Sequence, residues 1–295
     1  MSLQDSVKRF WVLEKEYTAD DEIEEVVPDP CVELIFNFGS SYSEIGSLPP
    51  RRLPNVCLVG VLSKPLKLRA SGVVKIVAVR FFAWGALSLL KNTAAMNSAA
   101  EADLDPLWRQ VADRVAANIQ SGKYENAVAE IEDFLLGLRL NELFGRERVR
   151  AAAKLLYTSK GQFRVAELAD YCNLSVRQLQ RQFDETTGVS PKTLGRIIRF
   201  EAIRNRLMSD ANAKLTDLAY EFGYTDQAHF IKDFKAFTDK TPGEYAVEME
   251  QFQKMFRDNE NVVFLQSPPT MLDYTDGESV SDNDELWRNN MLKTR

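Results

Sequence analysis

Between Val165 and Tyr245 one pattern of apolar and polar positions occurs twice, about fifty residues apart. The first copy reads VAELADYCNLSVRQLQRQFDETTGVSP and the second LTDLAYEFGYTDQAHFIKDFKAFTDKTP. Leu168-Ala169 matches Leu218-Ala219, and a turn residue follows at the same distance in each, Asn173 and Gly223. A second apolar stripe comes next, Leu179 and Phe183 in one copy, Phe230 and Phe234 in the other. The four-residue step within each pair is the repeat of a helix face. Pro191 and Pro242 close the copies, and the offset drifts only from 50 to 51. Helix, short turn with Gly or Asn, helix is the helix-turn-helix unit. Asp226 is placed to cap the last of these helices. Gly223 is placed where the turn needs positive φ. Between the copies, Leu194, Ile197, Ile198, Ala202, Ile203 and Leu207 trace the stripe of one long helix over 193–208.

Upstream the period changes. Residues 10–80 read mostly as strands. Val32 to Phe38 is bounded by Pro28/Pro30 and Gly39-Ser40-Ser41; Val56 to Val61 is a short apolar run. Leu66 to Arg69 alternates strictly, and Val73 to Phe82 is rich in β-branched residues. Short strands with Pro and Gly punctuation predict a small barrel or sandwich. Helical periodicity begins over 84–90. Asp105-Pro106 reads as a cap followed by Pro at the first helical position, opening a helix through Ile119. Another helix is predicted from Tyr124 to about Leu140. Residues 141–147, NELFGRE, form a plausible linker, and an Ala-rich helix follows over 148–157.

The predicted architecture is an α+β N-terminal domain, a small β barrel or sandwich followed by helices, at 1–145. An all-α domain at 146–248 carries two helix-turn-helix motifs joined by a long helix. The acidic tail at 249–295, including YTDGESVSDNDE, is too polar to bury much surface and is expected to be disordered.

Charge sharpens this division. The net charge is −6, which looks wrong for a nucleic-acid binder until it is split by region. Residues 146–245 hold 17 Lys+Arg against 13 Asp+Glu, whereas 1–145 hold 15 against 20 and 246–295 hold 5 against 10. Only the duplicated region is basic, as phosphate binding requires. A single histidine, His229, lies inside the repeat. It leaves no His-based metal cage and no second His for a triad elsewhere. No apolar run reaches the roughly 18 residues of a membrane span. Cys31, Cys57 and Cys172 are scattered, with no CxxC, which fits a reduced, cytoplasmic compartment. Cys31 and Cys57 read as buried small hydrophobes.

The C-terminal hundred residues resemble the paired helix-turn-helix domain of the AraC/XylS family of bacterial transcription regulators. The resemblance is carried by Leu168-Ala169, Ser175, Leu179, Arg181, Phe183 and Gly188-Val189-Ser190-Pro191. In the second half it is carried by Ala219, Phe222-Gly223-Tyr224, Asp226, His229-Phe230, Phe234-Lys235, Thr241-Pro242 and Tyr245. Ala228 departs from the pattern, which usually has Ser before the His-Phe pair; the change bears on base contacts, not on the fold. Pro28 to Asn37 is similar to the strand signature of an uncharacterised domain that precedes this one in part of the family. Arg80 to Ala86 stands where that domain has an R-F-x-P-G-A-like turn, without its Pro. The resemblance implies a DNA-binding transcription regulator, more often an activator, with a sensor or dimerisation domain in front. Double-stranded DNA and RNA polymerase are the implied partners. An unidentified small-molecule or protein effector and a homodimer are compatible with it, and no cofactor or metal is implied.

In such a unit the second helix lies in the major groove. With Leu179 and Phe183 turned inward, Arg177, Gln180 and Arg181 face out as base-contact candidates. With Phe230 and Phe234 inward, the outward set is Gln227, Ala228, Ile231 and Lys232. Arg can read guanine and Gln adenine by paired hydrogen bonds. Ala228 and Ile231 offer only apolar contact, so the second helix is expected to position more than it reads. Lys192, Arg196, Lys235 and Lys240 are candidates for phosphate. His229 reads as a structural cap or phosphate partner. In the N-terminal domain Glu33, Asn37, Arg80 and Trp84 are candidates for an effector pocket; alternatively Glu33 and Arg80 face solvent on alternate strand positions. A different class, an enzyme with a cupin-like barrel tethered to a DNA-binding module, is disfavoured because residues 1–145 contain no His.

Overall fold

A strand that is apolar on both alternations must be covered on both faces, and the run VVKIVAVRFF is of that kind. The computed structural model describes residues 3–17, 23–46, 49–85, 99–101, 106–137, 147–210, 213–248 and 262–263. In it the run forms β8 (Gly72–Phe82), near the centre of a six-stranded sheet. Antiparallel neighbours are β1 (Val7–Tyr17) on one side and β3 (Cys31–Asn37) on the other. Beyond β3 come β6 (Val56–Val59) and β9 (Ala99–Glu101). A four-stranded sheet is built from β2 (Ile23–Val26), β7 (Leu66–Arg69), β4 (Ser43–Glu44) and β5 (Arg51–Arg52), in that order.

The period of two assigns the faces. Val74, Ile76 and Ala78 of β8 join Tyr17, Tyr42, Cys57 and Leu68 in a core between the sheets. Val77, Val79 and Phe81 point the other way, with Phe10, Val32, Leu34 and Phe36. Helices cover that second face: α1 (Pro106–Gln120) and α2 (Tyr124–Gly137) bring Val111, Val115, Ile119, Ile131 and Leu135 into the same core. The prediction of a barrel or sandwich thus resolves to a sandwich with a helical layer on its outer face.

The C-terminal helices are α3 (Glu147–Thr158), α4 (Val165–Tyr171), α5 (Val176–Thr187), α6 (Pro191–Ser209), α7 (Leu215–Glu221) and α8 (Gln227–Thr238). Residues 242–248 are helical again. The apolar cluster on the outer sheet face continues without a break into Leu156, Phe183, Ile197, Phe200 and Phe234. The helical region is therefore packed onto the sandwich.

Three differences from the sequence reading follow. The longest partner of β8 is β1, whose apolar Phe10–Leu13 is flanked by the charged Lys8-Arg9 and Glu14-Lys15-Glu16, which hides the strand from a periodicity test. Ala83, Trp84 and Gly85 form a turn, and the rest of the helix expected over 84–90 lies outside the described residues. So does the linker at 141–146, with α3 beginning at Glu147. Within the tail, Val262–Val263 form a short strand, β10, paired with Val12 and Leu13 of β1.

Candidate nucleic-acid interface

The two helix-turn-helix units are built by the same local chemistry at equivalent positions. Asn173 and Gly223 hold the turns at φ 51° and 72°. Asn tolerates this left-handed region better than most side chains, and Gly enters it freely. At the start of α5, Ser175 Oγ accepts the Gln178 N–H at 3.2 Å and the Gln178 side chain accepts the Ser175 N–H at 2.9 Å. This reciprocal capping box is a readable S-x-x-Q signal. At the start of α8, Asp226 Oδ1 accepts the His229 N–H at 2.7 Å, the cap expected from the sequence.

The helix ends are duplicated too. Gly188 and Asp239 are left-handed C-caps at φ 72° and 57°. The buried Thr187 hydroxyl sits 3.0 Å from the carbonyl oxygens of Phe183 and Val189. The Thr238 hydroxyl sits 3.0 Å from those of Phe234 and Lys240. The chain then turns into α6 with Ser190 Oγ accepting the Thr193 N–H at 3.1 Å. In the second copy, Thr241 and Glu244 form a reciprocal box before the helix at 242–248.

These restraints set the faces of α5 and α8. Leu179, Phe183, Phe230 and Phe234 are buried. Arg177, Gln180, Arg181, Gln227, Ala228 and Lys232 are exposed and Ile231 is half-buried, as the helical period predicts. Ser175, Arg177, Gln178 and Arg181 line an open hollow of about 330 Å³ at the head of α5. Arg181 makes only a loose contact with Glu185, at 3.8 Å on an exposed face. The α5 face carries two guanidiniums and an amide; that of α8 carries one amide, one ammonium and two apolar groups.

The phosphate candidates divide. Lys192 and Lys235 are exposed. Lys240 pairs with Glu248. Arg196 is half-buried: its guanidinium binds the buried Asp233 by two bonds of 2.9 and 3.1 Å and stacks over Phe237. It ties α6 to α8. Asp233, which the sequence reading passed over, is the buried partner that redirects it. His229 is exposed, edge-on to Tyr224, with Nε2 3.9 Å from Asp233.

Among the described residues, the N-terminal candidates bond to different partners. Glu33 and Arg80 are cross-strand partners of β3 and β8, joined by a 2.6 Å ion pair, and Trp11 Nε1 donates to Glu33 at 3.2 Å. Arg80 also binds Asp29 at 2.6 Å. Their side chains are 16–17% exposed, so they are not simple solvent-facing charges. Asn37 is buried and closes a tight turn, accepting from the Gly39 N–H and donating to the Ser40 carbonyl. Trp84 donates to the Asp5 carbonyl and stacks on Phe82 with ring centroids 4.7 Å apart. The cysteines are all free and buried, and burial pushes the Cys31 and Cys57 thiols up to about 12.

A paired helix-turn-helix with exposed recognition faces defines a DNA-binding protein. Residues 168–248 match the family model described as a helix-turn-helix domain, and residues 1–100 match a domain of unknown function (DUF6597). The chain is 35% identical over 68 residues to the HTH-type transcriptional activator RhaS of Escherichia coli (strain K12 / DH10B). That match covers 23% of this chain and 24% of the relative, so it spans about a quarter of the curated protein's length. Among solved structures, ToxT from Vibrio cholerae O395 is similar over 82% of this chain and 97% of that one, at 12% identity and a TM-score of 0.45. The C-terminal domain of AraT, a response regulator from Geobacillus stearothermophilus, is similar over 44% and 93%, at 22% identity and a TM-score of 0.32. The family-model match and the duplicated motif together make residues 168–248 a helix-turn-helix domain, preceded by residues that match a domain of unknown function.

Proposed function

We propose that this chain is a sequence-specific transcription regulator, of the activating kind, that reads two successive major grooves with α5 and α8. The observation that carries this reading is the exposure of two polar recognition faces on helices capped and buried in the same way and joined by α6. Arg177, Gln180 and Arg181 make the base contacts of the first element. Gln227, Ala228, Ile231 and Lys232 make those of the second, with more apolar contact. Lys192, Lys235 and Lys240 meet phosphates. The name of the relative RhaS supports activation, and RNA polymerase is then the partner that the bound protein engages.

Control by the N-terminal domain is part of the proposal. Six contacts between the regions support it. Lys8 on β1 binds Glu201 on α6 at 3.1 Å, and Glu201 is buried. Asp5 binds Arg150 at 2.8 Å and Lys154 at 2.7 Å, both on α3. Lys67 on β7 reaches Asp239, the C-cap of α8, at 3.4 Å. Tyr157 of α3 meets Phe82 and Trp84 edge-on at 5.4 and 5.7 Å. An effector, small molecule or protein, or a second copy of the chain, would act by changing these contacts. Lys8→Met tests this: promoter response should shift while the binding site selected by the protein stays the same. An unchanged response would sink N-terminal control through α6.

A further inference from the structure

The loop between α3 and α4 belongs to the first reading unit, yet its contacts lie on the second and on α6. Lys160 Nζ stands over the ring of Phe222, the C-cap of α7, at 5.8 Å. Gln162 Nε2 donates to the Glu221 carbonyl at 3.2 Å, and its side chain lies against the Gly223 turn. Gly161 has φ 75°, and a Cβ there would fall 2.1 Å from the Gly195 carbonyl oxygen on α6. The loop therefore rests directly on the helix backbone. Arg199, one turn further along α6, donates to the Gly161 carbonyl at 2.9 Å and carries its guanidinium over the Tyr224 ring at 5.0 Å. Tyr224 is buried in the turn that launches α8. One loop and one arginine thus span both units.

We propose that Gln162 and Arg199 are positioning residues that fix the spacing and rotation between the two recognition helices, so that the pair binds DNA as one rigid ruler. The proposal rests on the two-element reading above. Neither residue is among the base or phosphate candidates. Their effect is on specificity: a duplex whose second element is displaced by one base pair is shifted by roughly 3.4 Å and rotated by about 34°. A rigid pair cannot follow that shift, and simultaneous engagement is lost. The turn of the second unit is held from outside as well as by its own helix packing, which a lone connecting helix would not provide.

The test uses full-length protein and duplexes carrying both elements with the natural separation, or with one or two base pairs inserted or removed. Wild type should lose about tenfold in affinity for each base pair of displacement. Gln162→Met/Arg199→Met should flatten that profile to within about threefold while holding its affinity for a single isolated element. A uniform loss at every spacing, or an unchanged profile in a folded variant, overturns the proposal. Gln162→Met alone, a volume-conserving change at an exposed side chain, gives the same comparison should the double variant melt early. Wild type that ignores the second element altogether would overturn the two-element reading itself, and is seen before any variant is made.

Discussion

At the scale of single residues, two kinds of cation are separated by what else they touch. Arg181 is exposed and only loosely met by Glu185, whereas Arg196 is forked onto buried Asp233. The distinction makes opposite predictions. Arg181→Ala should cost about 1–3 kcal/mol at one base pair and relax selectivity there, because a paired hydrogen bond to a base edge is lost. Lys192→Ala should weaken binding to all sequences alike and lower the salt slope by about one. Asp233→Ala should act on stability instead, costing about 2 kcal/mol by leaving a half-buried guanidinium without its partner. Binding isotherms on single-base variants, repeated at two salt concentrations, separate the first two; thermal melting reports the third. The outward face of α5 was legible from helical periodicity alone. The fate of Arg196 was not, because its partner lies 37 residues away on another helix.

At the scale of elements, the duplicated turn is the most readable feature of the chain. Gly223 and Asn173 hold equivalent left-handed positions. Gly223→Val should therefore destabilise the chain by about 1–3 kcal/mol, and Asn173→Gly should be close to neutral. Urea titration of both variants checks this, and equal losses would mean that the turns are not equivalent. The caps at Ser175 and Asp226 and the long α6 follow from local rules that need no partner. The strands were less visible for a physical reason. β8 is covered on both faces, so its pattern identifies a strand but not its neighbours. β1 carries Lys8, whose partner Glu201 comes from another part of the fold. Glu33 and Arg80 looked like pocket candidates because each is polar in an apolar strand; their cross-strand register shows them to be each other's counterion.

At the scale of the whole molecule, the two regions share one apolar core and a set of charge pairs across their boundary. The hydrogen bond from Lys154 and the charges of Arg150 and Lys154 hold the Asp5 carboxyl below its ordinary value. Burial would raise Asp29, but the charges of Arg80, Arg204 and Lys8 overcome it and hold that carboxyl down too. A depressed carboxylate stabilises the fold above its unfolded value, near 3.8, and loses that contribution as pH falls through the lower folded value. Attachment of the helical region to the sandwich should thus be constant from neutral pH to about 5 and weaken below 4. Fluorescence from Trp84, which meets Tyr157 edge-on across the boundary, follows it. Loss of attachment between pH 7 and 5 would point to a different set of groups.

The central claim, that one chain reads two DNA elements with α5 and α8, is tested most directly by selecting binding sites for the full-length protein from random duplex DNA and measuring the winners against scrambled sequence at two salt concentrations. One enriched site with two elements about a helical turn apart, preferred over scrambled DNA at both salts, is expected. Enrichment of a single element, or binding that is blind to sequence and disappears with salt, would contradict it.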